Sequence, residues 1–220
     1  MKTTILRTKL IPILTLILCF IFWKLPLGLD YFEIILSTFL ILIASIFEYK
    51  KDIFESLGFQ NNKLKIKNLL VFAPLLSIAL FLLYYFILVP LISNLTGESI
   101  NFSNFDELKG NPSYILIALL FIWISAAFGE EIVWRGYFMR QFAKFFGNSK
   151  LSLTLNIIIF AILFGFMHSY QGITGQIITG IIGLLLAITF HLKKYDLWFN
   201  IAVHGFFDTI ALIVIYNGWM

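Results

Sequence analysis

Tyr114-Ile115-Leu116-Ile117-Ala118-Leu119-Leu120-Phe121-Ile122-Trp123-Ile124-Ser125-Ala126-Ala127-Phe128-Gly129-Glu130-Glu131-Ile132-Val133-Trp134-Arg135-Gly136 carries no charge as far as Gly129 and then sets two glutamates side by side. A run this long and apolar reads as a helix crossing a bilayer, because a helix satisfies its own backbone groups where there is no water to do so. One carboxylate at the centre of such a helix costs about 2.5–3.5 kcal/mol on insertion scales, so two neighbouring ones need a reason. Arg135 follows Glu131 by four residues, and a helix brings that pair onto one face.

The rest of the chain agrees with a membrane reading. Its 220 residues are 60% hydrophobic and 13% charged, with 25 phenylalanines. A soluble domain has about a quarter of its residues charged. The surplus apolar side chains have no water-facing surface to occupy, so the expected fold is an all-α polytopic membrane protein. The single cysteine, Cys19, excludes an intrachain disulfide and a cysteine metal cluster. The net charge of +4 is not a nucleic-acid signal, because the basic residues fall between apolar runs.

About seven transmembrane helices are expected, over 10–29, 31–47, 69–95, 114–136, 151–169, 173–192 and 197–217. Pro26 and Gly28 interrupt the first two, which would form a tight hairpin. The N-terminal segment resembles a signal peptide but lacks a small-residue cleavage site, and is read as a retained first span. Residues 137–148 mix aromatics with Arg140 and Lys144, and either prolong the fourth span or lie along the interface. Placing the N-terminus inside puts thirteen of the 16 Lys and Arg residues on the inner side, against Lys24 and Lys109 outside and Arg135 within a span. The positive-inside rule therefore sets the N-terminus inside. The chain divides into N-terminal spans, 1–110, and a region 111–220 that holds the chemistry in its last four spans. The expected location is the inner membrane of a bacterial cell; the phenylalanine-, isoleucine- and lysine-rich composition suits an AT-rich bacterial genome.

Two more apolar segments carry polar groups: Phe164-Gly165-Phe166-Met167-His168 and His204-Gly205-Phe206-Phe207-Asp208. A carboxylate and an imidazole together activate a water, one accepting its proton and the other orienting it. A second histidine with a nearby polar side chain stabilises a developing oxyanion. His204 and Asp208 are four apart, so a helix aims both at one spot. No nucleophilic serine or cysteine arrangement accompanies them. The same atoms, Glu130, His168, His204 and Asp208, also suit a zinc shell with an open water position, although His-Glu-x-x-His spacing is absent. No cofactor is required in the first reading; Zn2+ belongs to the second.

Each group has a plainer reading when taken singly. Glu131 with Arg135 makes a structural ion pair, His168 an interfacial histidine, and His204 with Asp208 a hydrogen-bonded pair. Their occurrence together in the C-terminal half favours chemistry. His191, beside Lys193 and Lys194, reads as interfacial. Phe164 reads as packing beneath the His168 ring. Gly129, Gly165, Gly175, Gly180 and Gly183 read as points of close helix approach.

Glu-Glu-x-x-x-Arg, Phe-x-x-x-His and His-x-x-x-Asn/Asp in successive membrane segments resemble the CPBP intramembrane proteases, which include the type II CAAX prenyl endopeptidases and the bacteriocin-immunity (Abi) proteins. The resemblance covers about residues 110–217. It implies an endopeptidase whose site lies inside the membrane. By that resemblance Glu130 and His168 activate the water, His204 and Asp208 stabilise the oxyanion, and Glu131 and Arg135 hold the site together. The family has been described both as metal-dependent and as metal-free. The prenyl-processing members carry Asn where this chain has Asp208, so Asp208 must be protonated, paired with protonated His204, or metal-bound. The expected substrate is a membrane-associated or lipid-modified peptide, and no nucleic acid is involved. The alternatives are a non-enzymatic scaffold or immunity protein using the same cavity, and a proton-coupled transporter, for which no inverted repeat is present. One conflict of depth remains. His204 follows its turn by roughly 14 Å of helix, far less than separates Glu130 from the turn near 148. The motifs meet only if that turn projects from the bilayer or the last turn sits deeper.

Overall fold

The computed structural model of the chain describes residues 9–24 and 32–220. The N-terminal segment and the turn at Pro26 and Gly28 lie outside the described residues. Every regular element among the described residues is helical. They are α1 (Ile11–Lys24), α2 (Glu33–Tyr49), the short α3 (Ile53–Leu57), α4 (Asn68–Thr96), α5 (Pro112–Phe146), α6 (Lys150–Met167), α7 (Gly172–Leu192) and α8 (Leu197–Tyr216). Five of these, α4 to α8, are long and apolar enough to cross a membrane, and α1 is a shorter apolar helix. The protein is an integral membrane protein on this ground.

Local sequence sets the helix ends. Asn111 caps α5 by accepting from the Tyr114 N–H at 3.3 Å, with Pro112 following it. Gly147, at φ 78°, ends α5. Ser149 then caps α6 through the Ser152 N–H at 3.1 Å. Asp196 caps α8 by accepting from the Phe199 N–H at 3.2 Å. Burial pushes the Asp196 carboxyl above its ordinary pKa, against the opposing pull of that N–H and of Lys63 and Lys193.

Two helices depart from α-helical winding. In α4 the segments Asn68–Phe72 and Tyr84–Leu88 are π-helical. Each ends shortly before a proline, Pro74 or Pro90. A proline ring crowds the preceding turn and donates no hydrogen bond, and a widened turn makes room for it. In α5 the π-helical winding runs over Ile122–Glu130 and Ile132–Phe138, the part that carries both glutamates and Arg135. No proline accounts for it. The glycines there mark tight approaches: a Cβ on Gly129 would stand 3.2 Å from Thr38 Oγ1, and one on Gly136 would stand 3.1 Å from the Leu57 carbonyl.

Helix α8 is the central element. It packs on α4 and on the middle of α5, while α7 lies along α6. One core gathers Trp134, Phe138, Phe160 and Phe164, and Trp23 of α1 stacks on Trp134 at 5.2 Å. The other joins α4, α7 and α8 through Phe81, Leu186, Val203 and Phe207. The outer face of α5 shows Leu116, Ile117, Leu120 and Ile124, each more than 60% exposed. That face suits hydrocarbon.

Residues 137–146 prolong the fourth span as one continuous helix. At about 1.5 Å per residue α5 is roughly 50 Å long, some 20 Å more than the hydrocarbon thickness. The glutamates come level with the early turns of α8, where Asn200 and His204 bond Glu131. Asn156 ties α6 to this part of α5 by donating from Nδ2 to the Met139 carbonyl at 2.9 Å.

Candidate active site

The site is built where α5, α6, α7 and α8 meet. Glu131 is fully buried and each of its oxygens is occupied. Oε1 accepts from Arg135 Nη1 at 2.8 Å and from His204 Nδ1 at 2.9 Å. Oε2 accepts from Asn200 Nδ2 at 2.9 Å. Arg135, 2% exposed, donates in turn from Nη2 to the Gly183 carbonyl of α7 at 3.0 Å. Asn200 shares its Nδ2 with the Leu186 carbonyl at 3.1 Å. One carboxylate thus fastens α5, α7 and α8 together at their polar centre. A buried ion that receives this many donors has most of its lost hydration replaced.

Glu130 differs from its neighbour. Its Oε2 is buried and has no hydrogen-bond partner. Two adjacent carboxylates on one helix therefore have different environments: Glu131 is saturated and Glu130 is left with a lone pair for something else.

His204 lies between two carboxylates. Nδ1 faces Glu131 and Nε2 faces Asp208 Oδ2 at 3.4 Å, within ion-pair range. An imidazolium serves both, whereas a neutral ring serves one. Of the arrangements open to Asp208, pairing with His204 is the one whose geometry is present. Helix α8 supplies Asn200, His204 and Asp208 from one stripe at four-residue spacing.

His168 ends α6, and its Nδ1 stands 2.8 Å from the Phe164 carbonyl. A carbonyl only accepts, so Nδ1 carries the proton and Nε2 is left as a base. Phe164 is the hub of the site. Its ring lies 4.8 Å from the His168 ring, 6.2 Å from the His204 ring and 4.7 Å from the Arg135 guanidinium. The expected packing of Phe164 beneath His168 is present, and it extends to two more site residues. A Cβ on Gly183 would stand 2.8 Å from the Phe164 ring, so α7 approaches the hub only as glycine.

Both His204 nitrogens are taken up by carboxylates, and His168 Nδ1 by a carbonyl. Among the described residues no group of three or more His, Cys, Asp or Glu is arranged to hold a metal ion.

Sequence reasoning missed Asn200. It sits one turn before His204, and a polar amide at that position of an apolar helix was the available signal. It also missed a second buried polar group. Glu48 of α2 accepts from the Tyr137 hydroxyl and from Gln141 Nε2 at 2.7 Å, and Lys144 Nζ lies 3.8 Å away. Tyr49 accepts from Gln141 at 2.8 Å and Lys144 at 2.6 Å. These contacts hold the end of α5 against α2. His191 lies at the end of α7 with Nδ1 3.3 Å from the Tyr195 hydroxyl.

Buried carboxylates, two histidines and an arginine gathered among membrane helices define an intramembrane polar site. Residues 112–210 match the family model of type II CAAX prenyl endopeptidase Rce1-like proteins, so this part of the chain is similar to that family. No curated protein and no solved structure matches the chain.

Proposed function

We propose that the protein is an endopeptidase that hydrolyses a peptide bond within the membrane, using a water activated by Glu130 and His168. The observation that carries this reading is the unpartnered, buried Oε2 of Glu130 beside a saturated Glu131. Leaving a buried polar atom unpaired costs about 1–3 kcal/mol, and a base that must receive a proton during reaction accounts for it. Glu130 takes the proton of the attacking water while His168 Nε2 orients that water. The His204 imidazolium, held through Nδ1 by Glu131, turns its Nε2–H from the loose 3.4 Å contact with Asp208 to the oxyanion of the tetrahedral intermediate. Glu130 then returns the proton to the leaving amine. Glu131 and Arg135 position these groups without touching the reacting atoms. The reaction as written needs no metal.

The proposed substrate is a membrane-associated or lipid-modified peptide. The proposed topology has seven spans with the N-terminus inside, in a bacterial inner membrane. Purified wild type and Glu130→Gln are assayed on a peptide library that includes a prenylated peptide, with and without a chelator. Cleavage by wild type alone, indifferent to the chelator, is expected. Chelator-sensitive cleavage restored by zinc would reassign Glu130, His168, His204 and Asp208 as ligands. A cellular phenotype that survives Glu130→Gln would mean that the protein acts as a scaffold.

A further inference from the structure

A cavity of about 650 Å³ opens where α2, α3 and the 58–62 loop face α5 and α8. Its walls include Phe128 and Ile132, which bracket Glu130 and Glu131 on α5. The cavity and the candidate active site therefore share one helix and one depth.

The walls combine two chemistries. Phe59 and Phe128 set their rings edge-on to Trp198, at 4.7 and 6.4 Å. The Trp198 indole N–H is buried and has no hydrogen-bond partner. A buried tryptophan ordinarily finds an acceptor for that proton. The side-chain amides of Gln60, Asn61 and Asn62 line the same cavity and offer both donors and acceptors. Lys51 stands against Asp52 and Glu55, which leaves the lining weakly acidic. A phosphate headgroup would meet two carboxylates and one ammonium there.

The walls are also held in advance. The Leu197 N–H donates to the Gly58 carbonyl at 3.2 Å, and the Lys63 ammonium donates to the Lys194 carbonyl. Gly58 has φ 102°, and a Cβ there would lie 2.9 Å from the Tyr195 carbonyl. Only glycine lets the loop close onto α8.

We propose that this cavity is a subsite for an extended peptide segment. A bulky apolar side chain of the segment packs against Phe59, Phe128 and Trp198. Its neighbouring carbonyl accepts from Trp198 Nε1, and the amides of the 60–62 turn grip the adjoining backbone. As a substrate subsite it rests on the proteolytic reading above, and it specifies that reading: substrates carry a large apolar residue in an uncharged stretch near the scissile bond. A weakly acidic, part-apolar, amide-rich cavity fits a peptide better than it fits a lipid headgroup or an apolar chain alone.

The test measures binding separately from cleavage. The full chain carrying Glu130→Gln, in detergent, is irradiated with an acetylated, amidated serine–glycine nonapeptide bearing one central p-benzoylphenylalanine. The adducts are then mapped by mass spectrometry. Adducts are expected within 54–62, at 128–132 or at Trp198. Asn61→Trp, which fills the mouth from an exposed position, should cut labelling by about tenfold. Asn62→Trp serves the same purpose should Asn61→Trp not fold. An unlabelled competitor with Phe at the central position should displace the probe at about tenfold lower concentration than one with Ala. Adducts elsewhere, indifference to both tryptophan variants, or labelling of the cavity by a photoactivatable phosphatidylglycerol but not by the peptide would overturn the proposal. A labelled cavity in a protein whose wild type cleaves nothing sinks the protease and keeps the subsite. Cleavage by wild type without cavity labelling sinks the subsite alone.

Discussion

His204 Nδ1 donates across 2.9 Å to Glu131 Oε1, the same oxygen that accepts from Arg135. This single atom joins the last helix to the fifth, and its charge is shared by two cations from different directions. The pair explains why two glutamates stand together: one is consumed in assembling the site, which leaves the other unpaired within it.

Removing Glu131 therefore leaves Arg135 and His204 buried without their counter-charge. Breaking one side of a buried pair costs about 3–5 kcal/mol. Glu131→Ala should lower the unfolding temperature in detergent sharply and abolish activity with it. Arg135→Met in the Glu131→Gln background should recover part of that stability, since the uncompensated guanidinium is gone. A double variant no more stable than Glu131→Gln alone would contradict the pairing.

Glu130→Gln should behave in the opposite way. Its Oε2 has no partner to lose, so the unfolding temperature should stay near that of wild type. Peptide cleavage should fall by about 10²–10⁴-fold, the range that a positioned general base contributes. Thermal scans and initial rates on the same preparation read the two effects separately. Equal losses in both measurements would place Glu130 in the framework and not in the chemistry.

How far the site was legible follows from geometry. Glu131 with Arg135 and His204 with Asp208 are each one helical turn apart, so sequence spacing alone puts each pair on one face. The C-terminal helices were legible from their apolar runs for the same reason. Asn200 escaped because an amide carries no charge, and its importance comes from Glu131, 69 positions away in the chain. Glu48 escaped because its partners Tyr137 and Gln141 lie on another helix. The π-helical winding of α5 left no mark in the hydrophobic period, since residues 122–138 are apolar on nearly every side. The length of α5 was equally hidden: Arg140 and Lys144 look like the end of a span, yet the helix continues to Phe146.

Asn200 gives a sharper test because nothing in its charge suggests a role. It donates to both Glu131 Oε2 and the Leu186 carbonyl. Hydrogen bonds to charged groups contribute about 1.5–3 kcal/mol. Asn200→Leu should cost stability in that range and reduce kcat by displacing Glu131 and, through it, His204. Asn200→Asp should be worse, because it sets a second carboxylate against Glu131. A chelator-independent loss of kcat with KM unchanged is expected for the leucine variant.

Asp196 sets an expectation for pH. Burial holds its carboxyl above the ordinary value in the folded protein, so folding binds a proton more tightly than the unfolded chain does. Its contribution is most favourable below the unfolded value of about 4 and is lost as pH rises through the raised folded one. Asp196→Asn keeps the cap on α8 and removes the titration. The wild type should lose stability over the pH range just above 4 relative to the variant, read as the difference between their unfolding temperatures. Parallel pH profiles would rule out this role for Asp196.

Gly183 tests whether the hub at Phe164 sets the site geometry. Its carbonyl accepts from Arg135, and a methyl group in place of its hydrogen would lie 2.8 Å from Phe164 Cδ1. The ring cannot yield without moving against Arg135, His168 and His204, all of which it touches. Overpacking of this kind costs about 1–3 kcal/mol. Gly183→Ala should lose that much stability and a larger share of activity, because the displaced ring carries both imidazoles with it. Gly180→Ala is the control on the same helix, where the added Cβ would meet only the Ala161 carbonyl at 3.4 Å and Gly165 Cα at 3.7 Å, ordinary contacts. Adding Phe164→Leu to Gly183→Ala should restore stability by relieving the clash but leave activity low, since the smaller side chain no longer supports the two histidines. Full recovery of activity in that double variant would show that the histidines are positioned without the aromatic ring.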